Sequence, residues 1–198
     1  MLKQKFSYHT HTNSFGLYDG RNSLSEMLKQ AEVVGYEEIG VSNHLCYHPN
    51  LPHDHTMFFS DFDKAIDVYK RTIEEIREAS VHSNLKIYAG FEVDYFSNQK
   101  WLDAFEKIKE EVKADYYIGA VHFFKTEAED VIFNIYHLPQ YQEQVDKYGL
   151  EYFIRGYWNN LTSAVESQLF DFIAHLDVLK TFEWYKPDYC LDEQSKLL

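Results

Sequence analysis

Phe6-Ser7-Tyr8-His9-Thr10-His11 is the stretch from which the fold can be worked out. Its apolar start predicts a short β-strand, and the two histidines stand at the end of that strand. Residues i and i+2 of a strand point to the same face, so the two imidazoles can converge on one metal ion. The alternative is a pair of exposed or hydrogen-bonded histidines, and the spacing alone does not separate the two interpretations.

Downstream of this stretch, short β-like segments alternate with longer helical patterns. A capping box formed by Ser23 and Glu26 predicts the start of a helix, and Gly35 suits its left-handed C-terminal position. The other predicted elements are strands at 38–44, 86–94, 116–123 and 171–177, helices at 60–81 and 98–113, and helical segments on either side of Gly149. Strands joined by crossover helices pair in parallel, so the pattern predicts an α/β fold, either a barrel or a doubly wound sheet.

Every predicted strand ends in a residue that can bind a metal ion. In chain order these residues are His9 and His11, then His44, Glu92, His122 and His175. An open sheet binds ligands at a switch point, whereas a parallel barrel gathers the ends of all its strands around one mouth. The coincidence therefore favours a barrel with a metal site at its mouth.

These residues differ in how strongly each of them, taken alone, indicates a metal ligand. His44 and His122, each taken alone, fit core histidines as well as they fit ligands. Glu92 differs because it lies inside an apolar strand, where a carboxylate is costly unless it is paired or metal-bound. A carboxylate can also bridge two ions, so Glu92 is the candidate bridging ligand. Asp19, before Gly20, is a candidate oxygen ligand, and a turn-forming Asp-Gly pair is the alternative.

Composition excludes several kinds of partner. The formal net charge of −13 opposes binding to a phosphate backbone or to anionic lipid. Cys46 and Cys190 are far apart and predict neither a disulfide framework nor a thiolate zinc site. The N-terminal residues lack a signal-peptide pattern, and no apolar run reaches about 18 residues. We therefore expect a cytoplasmic protein with no nucleic-acid or membrane partner.

Taken together, these motifs resemble the polymerase and histidinol phosphatase (PHP) superfamily. The matching segments are His9-Thr-His11, Asp19-Gly20, Ser42-Asn43-His44, Gly90-Phe-Glu92-Val-Asp94-Tyr95, Gly119-Ala-Val-His122-Phe and Ala174-His175-Leu-Asp177. The Ser-Asn-His and Gly-x-Glu-x-Asp-Tyr variants are most similar to its histidinol-phosphate phosphatase branch. The resemblance covers essentially the whole chain, which implies a single PHP domain over 1–198, with a distorted, TIM-like (β/α)7 barrel and metals at its C-terminal mouth.

The resemblance also implies a site and an activity. Up to three divalent ions are implied, and sites of this kind accept Zn, Mn and Fe alike. Carried over by position, the three ions would be held by His9, His11 and Glu92; by Glu92, His122 and His175; and by Asp19 and His44. The implied reaction is hydrolysis of L-histidinol phosphate, in histidine biosynthesis, by a metal-bridging hydroxide. Glu92, His122 and Asp19 would be the catalytic residues.

The residues that bind the substrate phosphate are less well defined by the sequence. Arg155 and Lys180 are candidate cations for it, and ordinary surface charge is the alternative for both. His48, His53 and His55 lie in a loop that can reach the mouth, and a solvated loop is the alternative there.

The family pattern continues past Lys180 with two further strand and helix units, the last strand ending in an Asp-Ala-His absent from this sequence. We therefore expect a barrel truncated to about five βα units, with an open edge that another copy or another chain can cover. The ligand count predicts fewer than three tightly bound ions and weak turnover by this chain alone. Two alternatives stay open: another phosphoesterase of the superfamily, acting on phosphotyrosine proteins or nuclease-like, and a catalytically impaired metal-binding remnant.

Overall fold

The computed structural model of the 198-residue chain describes residues 4–17, 20–49, 59, 61–126, 129–135 and 138–181. Within these ranges the β-strands are β1 (Phe6–Ser7), β2 (Glu38–Leu45), β3 (Lys86–Asp94), β4 (Tyr116–Ala120), β5 (Phe123–Thr126), β6 (Glu129–Asn134) and β7 (Phe172–Ile173). The α-helices are α1 (Leu24–Val34), α2 (Phe62–Val81), α3 (Gln99–Val112), α4 (Leu138–Tyr148) and α5 (Leu150–Glu166). None of these helices is long and apolar enough to cross a membrane.

Five strands form one parallel sheet in the order β1-β2-β3-β4-β7, curled into a half-barrel. The register places His44 of β2 opposite Glu92 of β3, and Glu92 opposite Ile118 of β4. The two-residue strands β1 and β7 stand at the two edges. This arrangement confirms the predicted α/β fold, and the half-barrel formed by the described residues is consistent with the truncated, TIM-like barrel predicted from the sequence.

Local signals set the ends of the helices that cover the sheet. Ser23 and Glu26 form the reciprocal capping box of α1, and Gly35 ends that helix with a φ of 85°. The side chains of Asp61 and Asn98 accept hydrogen bonds from the first turns of α2 and α3. Each cap satisfies backbone groups that the helix itself leaves without partners, and the helices start within two residues of the predicted positions.

The main core lies between the sheet and helices α1, α2 and α3. Its largest fully buried side chains include Tyr69, Phe91 and Trp101. On the face of β3 that carries Glu92, Tyr116 packs so closely over Gly40 and Gly90 that a Cβ at either glycine would clash with it. Aromatic packing therefore fills the sheet face below the strand ends that hold the histidines.

The region between β4 and β7 differs from the sequence prediction. We expected a strand at 116–123 followed by helices, but β4 ends at Ala120 and an antiparallel hairpin of β5 and β6 precedes α4. The β-branched and aromatic run Val131-Ile132-Phe133 favours a strand, and this short run was missed. Gly149, with a φ of 87°, separates α4 from α5 as expected. The strand predicted at 171–177 is shorter than expected, because the chain turns at 176–177 just past β7.

Candidate metal centre

Glu92 lies at the centre of a histidine cluster formed where the strands of the sheet end. Its side chain is only 1% exposed. One carboxylate oxygen, Oε2, lies 3.0 Å from His9 Nε2, 3.3 Å from His11 Nε2 and 3.4 Å from His44 Nδ1. Three imidazoles, two from the segment that follows β1 and one from β2, therefore converge on the same oxygen.

The second carboxylate oxygen of Glu92 meets a different pair of histidines. Oε1 lies 2.8 Å from His175 Nε2 and 3.5 Å from His122 Nε2. The two imidazole Nε2 atoms are themselves 3.1 Å apart. Glu92 thus separates two sets of nitrogen atoms, one on each oxygen, as a bridging carboxylate does.

Among the described residues, the potential ligand atoms fall into three groups, each with all its atoms within 4.8 Å of one another. The groups are His9, His11 and Glu92; Glu92, His122 and His175; and His44, Asp94 and His122. The first two coincide with the first two ligand sets that the sequence resemblance implied. The third differs, because the implied partner of His44 was Asp19, which lies outside the described residues.

Asp94 is the member of these groups that sequence reasoning did not single out. A signal was present, since Asp94 follows Glu92 by two residues on β3 and must point to the same face of the sheet. Gly20, which follows Asp19, packs directly on the backbone of Thr12, where a Cβ would clash. The role of Asp19 as a ligand stays a prediction.

The protonation states in the cluster suit metal ligands. Burial by itself would raise the pKa of Glu92, but hydrogen bonds with His11, His175 and His9 hold that pKa well below its usual range. Burial lowers the pKa of His11, although its hydrogen bond to Glu92 opposes this. An ionised carboxylate beside a neutral imidazole is the state that binding of a divalent ion requires.

Side chains of β2 hold the segment that carries His9 and His11. β1 ends at Ser7, yet Thr10 N–H donates to Ser42 Oγ (3.1 Å) and Ser42 N–H donates to the Thr10 carbonyl (2.8 Å). Asn43 then pairs with Thr12 twice: its Oδ1 accepts from Thr12 N–H at 2.7 Å, and its Nδ2 donates to Thr12 Oγ1 at 2.8 Å. These contacts continue the pairing with β2 beyond the end of β1 and keep both histidines on the side of Glu92.

The candidate substrate residues have structural partners of their own. Arg155 lies on the exposed face of α5, where its Nη2 is 2.6 Å from Glu151 Oε1. His48 is only 2% exposed and packs against Phe96, so it does not lie in a solvated loop. Its Nε2 is 3.3 Å from Asn98 Nδ2 at the start of α3. Their roles in substrate binding stay predictions.

Three other predicted residues are described in part or not at all. Lys180 lies in the 3₁₀ turn Val178–Thr181, and its side chain falls outside the described atoms. His53 and His55 lie outside the described residues.

Comparisons with known proteins bear on the family and the fold of the chain. The family model of the PHP domain matches residues 7–197. The fold is similar to the crystal structure of the proposed histidinol phosphatase hisK from Listeria monocytogenes, with a TM-score of 0.52 and 20% sequence identity. That match covers 67% of this chain and 50% of the other, so the chain spans about half the length of this relative, and the likeness shows the fold alone. No curated protein matched. Because the family model spans nearly all of the sequence, the chain belongs to the PHP domain family.

Proposed function

We propose that this chain is a metal-dependent phosphoesterase that hydrolyses a small phosphate monoester, with L-histidinol phosphate as the first candidate. The observation that carries the proposal is the position of Glu92, a buried carboxylate whose two oxygens face two separate sets of imidazoles. A buried carboxylate in this position is costly unless positive charge accompanies it. Two divalent ions would supply that charge.

The donor atoms fit such ions. Imidazole nitrogens combined with a carboxylate oxygen are the ligands that zinc, manganese and iron share in hydrolytic sites. His9 and His11 would complete the set on one oxygen of Glu92, and His122 and His175 the set on the other. When bound, such ions activate water and stabilise the charge that develops on phosphorus.

The cluster is sheltered at its centre and open at its rim. The side chains of His9 and His175 are 29% and 30% exposed, whereas Glu92 is 1% exposed. A phosphate group can therefore approach over these two imidazoles while the carboxylate between them stays dehydrated. The carboxylate, held ionised, keeps the surrounding imidazoles oriented by hydrogen bonds.

The charge of the protein favours a small substrate over a polymeric one. The net charge of −13 repels an extended phosphate backbone, and the proposed ions would supply positive charge for a small phosphate group at the site. The choice of L-histidinol phosphate rests on the Ser42-Asn43-His44 and Gly90-to-Tyr95 variants and on the name of the structural relative.

Phosphate release tests the proposal. The purified chain is stripped with a chelator, reloaded separately with Mn2+, Zn2+ or Fe2+, and assayed on L-histidinol phosphate, phosphotyrosine and a nucleoside monophosphate. We expect release that requires metal, is abolished by Glu92→Gln, and is retained by Glu111→Gln, which alters an exposed ion pair between α2 and α3. Metal binding without release from any of these esters would contradict the proposal and indicate a metal-binding protein without hydrolase activity.

A further inference from the structure

We infer that Asp94 is a positioning residue that fixes the tautomer and orientation of His122, and so directs the Nε2 atom of His122 towards Glu92. The inference deepens the proposed function and rests on it, since Nε2 is the atom that would bind metal.

One oxygen of Asp94 holds His122 at two points. Asp94 Oδ1 lies 2.9 Å from His122 Nδ1 and accepts a hydrogen bond from the His122 backbone N–H at 3.2 Å. Both residues are buried. A carboxylate accepts hydrogen bonds and has none to donate, so the proton in the first contact belongs to Nδ1 of the imidazole.

The position of His122 in the chain explains why it needs such a partner. β4 ends at Ala120, two residues earlier, so the regular parallel ladder does not hold His122 in place. Asp94 lies opposite Ala120 in the register of β3 and β4, and the next amide, that of Tyr95, donates to the Ala120 carbonyl at 2.9 Å. Asp94, the last residue of β3, therefore anchors His122 beyond the end of β4.

A proton on Nδ1 has a direct consequence for the metal centre. It leaves the lone pair of His122 on Nε2, the atom that lies 3.5 Å from Glu92 Oε1 and 3.1 Å from His175 Nε2. His122 then serves the set that contains Glu92 and His175. Hydrogen-bonded carboxylates that orient ligand histidines in this way also raise the basicity of the imidazole.

A role for Asp94 as a metal ligand is the competing interpretation, because Asp94, His44 and His122 also form a compact group. The contacts favour positioning. While Nδ1 of His122 donates to Asp94, it has no lone pair with which to bind a second ion. The Oδ1 atom of Asp94 already accepts a hydrogen bond from the backbone N–H of His122 and lies 2.9 Å from His122 Nδ1.

The test compares Asp94→Asn and Asp94→Glu with Asp103→Asn, a change of an exposed acid on α3 that accepts from Gln99. Long-range 1H–15N correlation spectra of the metal-free protein report the tautomer of His122 at a fixed pH. Chelator competition with Zn2+ and Mn2+ reports affinity and the number of bound ions.

We expect the Nδ1–H tautomer in the unmodified protein and its loss in Asp94→Asn, whose amide group can donate to Nδ1. Metal affinity should fall about 10- to 100-fold in that variant with the number of ions unchanged, and Asp94→Glu should recover part of it. Asp103→Asn should change neither readout.

Two results would overturn the inference. One is an Nε2–H tautomer of His122 in the unmodified protein, a measurement that needs no variant to fold. The other is the loss of one bound ion in Asp94→Asn with the tautomer unchanged, which would make Asp94 a ligand. Failure of the unmodified protein to bind any metal would instead refute the proposed function, and the tautomer measurement would still decide the role of Asp94.

Discussion

Replacing Glu92 by glutamine removes one negative charge from the centre of the histidine cluster while keeping the shape of the side chain. The carboxylate oxygens have their shortest contacts with His175 Nε2 (2.8 Å) and His9 Nε2 (3.0 Å). Glutamine offers only one acceptor in place of two, and its amide nitrogen cannot bind a metal ion. The substitution therefore acts on both proposed ions at once.

The size of the effect follows from the sharing of Glu92. Without it, each of the two ligand sets keeps only two imidazoles, His9 with His11 and His122 with His175. Loss of an outer-shell partner of a ligand costs about 10- to 100-fold in affinity, so loss of a shared ligand should exceed about 100-fold for each ion. That corresponds to more than about 2.8 kcal/mol of binding free energy per ion.

Chelator competition measures this directly. The unmodified chain, Glu92→Gln and Glu111→Gln are titrated with Zn2+ in the presence of a coloured chelator, after circular dichroism has shown that all three are folded. We expect Glu111→Gln to match the unmodified chain and Glu92→Gln to bind neither ion tightly. Retention of both ions by Glu92→Gln, with affinities within about threefold of the unmodified chain, would refute the bridging role.

Three further predictions concern residues that support the site or the fold. Asn43→Ala should lower the free energy of unfolding of the metal-free protein by about 2 to 3 kcal/mol, because it leaves the buried N–H of Thr12 without an acceptor. Urea unfolding measures this change, and a decrease below about 0.5 kcal/mol would contradict the prediction. Burial lowers the pKa of His48 from 6.5 to about 4. As the pH drops from 6.5 to about 4, His48 is therefore protonated in the unfolded chain before it is protonated in the folded chain, and the free energy of unfolding should fall. His48→Gln should remove up to about 3 kcal/mol of that decrease, as seen in urea unfolding at stepped pH, and an unchanged pH profile would refute the assignment. Ser23→Ala should lower the free energy of unfolding by about 0.5 to 2 kcal/mol through loss of the α1 capping box. Ser23→Asp should retain most of the stability that Ser23 provides, as measured by thermal unfolding.

The parts of the fold that local chemistry determines were predictable from the sequence. The capping box at Ser23 and the helix end at Gly35 place α1 to within a residue, and the apolar run at 86–94 matches β3. These signals lie within a few residues of one another, so no knowledge of the tertiary fold was needed. The β5–β6 hairpin was missed because its strands are short, and a short apolar run fits a helix as well as a strand.

The candidate site was predictable for a different reason. Parallel strands deliver their C-terminal ends to one edge, so His44 and Glu92 were expected to meet once both were placed at strand ends. The supporting contacts were not predictable, because they join residues far apart in sequence whose side-chain directions depend on the assembled sheet. Thr12 and Asn43 are 31 positions apart, and Asp94 and His122 are 28 apart.

Anomalous diffraction from crystals of the zinc-loaded protein tests the central claim most directly, because it locates the ions without reference to activity. The account predicts two anomalous peaks at about 2.0 to 2.2 Å from the ligand atoms, one on each carboxylate oxygen of Glu92. The first peak should lie against His9 and His11, and the second against His122 and His175. Zinc bound elsewhere on the chain, with no peak within ligand distance of Glu92, would contradict it.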